Sequence, residues 1–74
     1  MTTLPDLTLD VRGLPAPEPL EQCLDALADL PAGQRLQLWV DREPFPLYVI
    51  LAREGFEHAC TFEGPHYRVT IWRN

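Results

Sequence analysis

Apolar and polar residues alternate from Leu7 to Arg12, with Leu7, Leu9 and Val11 on one side and Thr8, Asp10 and Arg12 on the other. A period of two predicts a half-buried strand. Gly13 ends it, and prolines follow at 15, 17 and 19. Pro19 suits the first turn of a helix, where a missing N–H is no loss. From there Leu20, Cys23, Leu24, Leu27 and Leu30 recur at helical spacing, while Glu21, Gln22, Asp25 and Asp29 take the other side. Pro31-Ala32-Gly33 closes this helix.

The second half repeats the design. Leu36, Leu38 and Val40 alternate with Arg35, Gln37, Trp39 and Asp41, which predicts a second strand. Asp41-Arg42-Glu43-Pro44 then forms a charged, proline-bearing turn. A second helix runs over Leu47, Val49, Ile50, Leu51 and Ala52 to a stop at Gly55. The tail reads as a hairpin turning at Glu63-Gly64-Pro65-His66, between strands in 56–62 and 67–73. A four-residue turn sets Phe62 opposite Tyr67, Cys60 opposite Val69 and His58 opposite Ile71, on the core side with Leu9, Leu38 and Val40. Glu57, Thr61, Arg68, Thr70 and Trp72 fall on the other face with Gln37 and Trp39. The order β-α-β-α-β-β predicts an α/β (α+β) two-layer sandwich, a four-stranded mixed sheet with both helices on one face.

Seventy-four residues suit a single domain over 1–74, and 46% hydrophobic residues suffice to fold it. Six arginines, no lysine and eleven acidic residues give a net charge of −5, which repels a phosphate backbone and argues against nucleic acid as a partner. No apolar run approaches a membrane span, and no basic n-region precedes an apolar stretch, so the expected compartment is the cytosol. Cys23 and Cys60 lack the close spacing of a zinc or redox pair. The absence of serine excludes a serine nucleophile, and no cofactor is expected.

Leu9-Asp10-Val11-Arg12-Gly13-Leu14, followed by Pro17-Glu18-Pro19-Leu20, resembles the opening of the TusA/SirA-like sulfur carriers. In that family a strand ends in Asp-x-Arg-Gly-Leu and the helix begins with Cys-Pro-x-Pro. The resemblance implies the family's two-layer sandwich and places its persulfide-bearing cysteine on Ala16. A methyl group carries no sulfur, so that chemistry is not expected here. The closer likeness is to a TusA-related branch of uncharacterised small domains. These read Pro-x-Pro-Glu-Pro at the first turn and Asp-x-Glu-Pro-x-Pro-Leu at the second, here Asp41 to Leu47. A thiolate at such a helix start would be stabilised by the helix dipole and unpaired N–H groups. Without the thiol, the turn is a rigid binding element.

The candidate site is therefore the first turn, with Arg12, Pro17, Glu18 and Pro19, joined by Asp41, Arg42 and Glu43 of the second. Arg12 either grips an anionic ligand or pairs with Asp10, Glu18 or Glu43 to fix the turn. Glu18 either guides a partner or complements the helix dipole. Asp41, Arg42 and Glu43 lie at the carboxyl end of a strand, where ligands gather in α/β folds, or are simply solvated. Cys23 and Cys60 read as small buried hydrophobes. His58, Cys60 and His66 do not make a metal site, since the first two point inward. The leading expectation is a non-enzymatic binding or adaptor domain in sulfur or redox metabolism, its partner a protein or a small anionic ligand. A second reading moves carrier chemistry to Cys23 or Cys60. A third is a structural subunit, a homodimer formed through Trp39 and Trp72 on the uncovered sheet face.

Overall fold

A computed structural model describes residues 4–73. The elements follow the expected order: β1 (Leu7–Asp10), α1 (Glu18–Ala28), β2 (Leu36–Val40), α2 (Phe45–Arg53), β3 (Glu57–Phe62) and β4 (Tyr67–Trp72). The strands lie side by side as β1-β2-β4-β3, with β1 parallel to β2 and the other pairs antiparallel. This is the four-stranded mixed sheet of an α+β sandwich.

Burial on the sheet follows its period of two. Leu36, Leu38 and Val40 of β2 and Val69 and Ile71 of β4 are buried, and they pack against Cys23 and Leu27 of α1 and Leu47 and Leu51 of α2. Val11 and Leu30, just past the ends of β1 and α1, complete the core. Each such aliphatic side chain contributes about 1.5–3 kcal/mol by leaving water. The hairpin register is the expected one, with Phe62 opposite Tyr67, Cys60 opposite Val69 and His58 opposite Ile71.

Several residues expected in the core lie at its margin. β1 and β3 are the two edges of the sheet, and the helices cover its centre. Leu9 is therefore only half-buried, and His58 and Phe62 are exposed although they occupy the helix-covered side. On α1, Leu20 and Leu24 are half-buried while Cys23 and Leu27 are enclosed. α2 starts at Phe45, ahead of the expected Leu47, because Pro46 fits its first turn. It ends at a left-handed Gly55 (φ +82°), with the Phe56 N–H donating to the Leu51 carbonyl at 2.8 Å. That six-to-one bond is the usual glycine stop.

Candidate functional site

Parallel β1 and β2 deliver both strand-to-helix turns to the same edge of the sheet. The ladder outlasts β1 by one bond, from Val11 N–H to the Trp39 carbonyl at 3.0 Å. The chain then reverses at Gly13, whose φ of +80° other residues rarely adopt. There the Gly13 N–H donates to Asp41 Oδ2 at 2.7 Å, across 28 residues of sequence. The other carboxylate oxygen of Asp41 stands 3.4 Å from His66 Nδ1 in the hairpin turn. Asp41 thus ties the first turn to the second and stands beside the hairpin turn.

Arg12 pairs with Asp10, one of the partners expected for it. Its Nε and Nη2 donate to the two oxygens of Asp10 at 2.9 and 2.6 Å, and its backbone N–H also reaches Asp10 Oδ1 at 3.0 Å. The hydrogen bonds from the Arg12 side chain, then that from its backbone, pull the Asp10 carboxyl from the ordinary 3.8 down to about 2. Asp10 in turn raises the Arg12 pKa. The guanidinium lies over the Trp39 ring, 5.2 Å from its centroid, on the sheet face that carries no helix. Trp39 and Trp72 stand on that face but are half-buried. The same face is laced with polar contacts. Thr70 donates to Gln37 at 2.8 Å, Gln37 donates to Asp6 at 2.8 Å, and Arg68 pairs with Glu63 at 3.0 Å.

Between the two turns lies an apolar groove of about 330 Å³. Ala16, Pro17 and Pro19 form one wall, Pro44, Pro46 and Leu47 the other, and Leu38 and Val40 the floor. It continues into a more polar hollow of about 500 Å³, bordered by Asp41 and Arg42. Ala16 belongs to both. Of the residues read as a site, Pro17, Pro19, Asp41 and Arg42 therefore gather here. Glu18 stands exposed in the first turn of α1 with no side-chain cap bond. Glu43 turns away to accept a hydrogen bond from the Tyr48 hydroxyl at 3.1 Å.

The rest of the groove, Ala16, Pro44, Pro46 and Leu47, was hidden in the sequence by its plainness. Alanine, leucine and proline read as turn and core residues until the parallel pairing brings the turns face to face. Tyr48 was also missed: its ring stacks on His58, 4.1 Å between centroids and 10° from parallel. Burial first, then hydrogen bonding with Cys60 and Glu43, pushes its hydroxyl pKa upward. Only its place in an apolar helix hinted at burial.

Both cysteines are free, Cys23 buried and Cys60 half-buried. Burial pushes the Cys23 thiol up to about 12. Among the described residues, no three of the histidine, cysteine and acidic side chains are grouped to hold a metal ion. Nor is any described helix long and apolar enough to cross a membrane.

Fold and site together define a small α+β domain that presents an apolar groove between paired strand-to-helix turns. The chain belongs to a family described as "Uncharacterized conserved protein (DUF2249)", whose model matches residues 8–73. No curated protein and no solved structure matches it. The family match identifies an uncharacterised group and does not itself establish kinship with the sulfur carriers.

Proposed function

We propose that this chain is a non-enzymatic binding or adaptor domain, distantly TusA-like, that holds an apolar segment of a partner protein in sulfur or redox metabolism. The observation that supports this reading is the groove itself. Its walls are alanine, leucine and proline from two rigid turns, and its wetter end carries one acid and one base, Asp41 and Arg42. An apolar slot with a few polar groups at one end suits an apolar side chain better than a small anion. Prolines on both walls limit the entropy lost on binding. Ala16 fits a groove emptied of thiol chemistry but kept as a surface. The cytosol is the compartment this reading expects.

The test compares the affinity of a partner, captured by immobilised wild type and then purified, for wild type, Ala16→Glu and Arg53→Ala. Ala16 lies in the groove and is exposed, so a carboxylate there should block it without disturbing the core. Binding is expected to fall at least about tenfold in Ala16→Glu, roughly 1.4 kcal/mol, and to persist in Arg53→Ala. Equal binding by all three removes the groove from consideration.

A second reading keeps carrier chemistry and moves it to Cys60. It is favoured by Cys60 being only half-buried and lying two residues from His58, on the strand that Tyr48 packs against. Cys23 is set aside by its burial and raised pKa. Native alkylation at neutral pH separates the two readings. A Cys60 that reacts no faster than Cys23 ends the carrier reading.

A further inference from the structure

The least protected part of the fold is the side of α2 and β3 remote from the groove. Phe45 and Phe62 are each 63% exposed and Val49 is 59% exposed. Tyr48, stacked on His58 and set edge-on against Phe45, joins the helix to the strand in one aromatic surface. Beside it runs β3, an edge strand of six residues. Edge strands are usually guarded by lysine, proline or a bulge. β3 has neither residue, pairs with β4 one-to-one along its whole length, and bears one charged side chain, Glu57.

The phase of the ladder determines which backbone groups are free. The Glu63 N–H donates to the His66 carbonyl at 2.7 Å, so residues 57, 59 and 61 exchange bonds with β4. His58, Cys60 and Phe62 direct their N–H and C=O groups outward. Among the described residues no segment pairs with that side.

We propose that β3 is a homodimer edge: two copies pair their β3 strands antiparallel about a two-fold axis at Ala59, making one continuous eight-stranded sheet. In this register His58 exchanges backbone bonds with Cys60 of the second copy, and Cys60 with His58. On the helix side Phe62 meets Phe56. On the open side Glu57 meets Thr61, and Ala59 meets its own counterpart. A two-fold axis makes the interface isologous, as in most dimers.

Charge selects this register over its neighbour. An axis at Cys60 would satisfy more backbone groups but would set Glu57 directly opposite Glu63, and like charges in that position repel. Area favours a second copy of the chain over a thin extended peptide. Phe45, Val49 and Phe62 leave on the order of 700 Å² uncovered over two copies, more than half of the ~1,200 Å² at which specific interfaces begin. Two six-residue strands with Tyr48 and His58 supply the remainder. The groove lies on the other flank of α2 and stays open, so this inference does not depend on the proposed function.

Sedimentation of the full chain tests it. Wild type is expected to sediment at twice its 8.5 kDa. Phe62→Glu should weaken the dimer at least about tenfold. His58→Pro should do the same with an unchanged circular dichroism spectrum, because it removes an outward N–H and none that bonds β4. Ala59→Cys, made with Cys60→Ala, should form an intermolecular disulfide on mild oxidation, and Thr61→Cys in the same background should not. A wild type that stays monomeric at millimolar concentration overturns the proposal. So does a dimer untouched by Phe62→Glu and His58→Pro, or one that Ala59→Cys fails to link.

Discussion

Replacing Asp41 by alanine should loosen the first turn from a distance of 28 residues. The substitution removes the acceptor that takes the Gly13 N–H at 2.7 Å and the carboxylate that faces His66 at 3.4 Å. A hydrogen bond to a charged acceptor is worth about 1.5–3 kcal/mol when water is excluded. The Asp41 side chain is 48% exposed, which brings the expected loss down to about 1 kcal/mol. In a domain this small, 1 kcal/mol lowers the melting temperature by about 4–8 °C. Asp41→Asn keeps an oxygen for Gly13 and should lose roughly half as much. Calorimetry gives the melting shift, and amide exchange at Gly13 gives the local effect: the alanine variant should exchange fastest, asparagine next, wild type slowest. An alanine variant that melts within about 1 °C of wild type and protects the Gly13 amide equally would refute the idea that this carboxylate builds the turn.

Leu51→Ala, at a fully enclosed position, should cost about 2–5 kcal/mol against a total of roughly 4–11 kcal/mol for a domain of this size. Half-buried Leu24→Ala should cost about 1–2 kcal/mol, and urea unfolding of the pair would refute the core assignment if their order reversed. Asp10 is held at about 2 in the folded chain, below its ordinary 3.8, so its stabilising contribution is present above the higher value and lost as pH falls through the lower one. The denaturant midpoint should therefore drop more steeply in wild type than in Asp10→Asn over that acid range, and equal slopes would discard the Arg12 pairing as its cause.

Most of the fold was legible because period and turn length act locally. The hairpin register followed from a four-residue turn alone, and the order β-α-β-α-β-β pointed to a four-stranded mixed sheet. Edge and centre were harder to read. His58 and Phe62 have the correct parity for the core, yet parity says which face a residue takes and nothing of whether a helix covers it. The site divided along the same line. Asp10, two residues from Arg12, stood among the three partners expected for it and is the one it takes. The groove and the Asp41–Gly13 bond were not legible, since they join residues about 28 apart through the pairing of β1 with β2.

Position 16 shows how little the shape of the first turn depends on the side chain that it exposes. The turn's shape rests on the left-handed Gly13, its bond to Asp41, and the prolines at 17 and 19. Nothing in that set draws on the side chain of residue 16, which is exposed in the groove. The contacts that support the turn are therefore independent of which small side chain stands at position 16. The exposed methyl group still lines a surface, and the apolar wall opposite gives that surface a matching side. Pro44 and Pro46 start α2 and at the same time face Ala16 across the groove, so the elements that shape the two turns also supply the apolar surface that the proposed binding role requires.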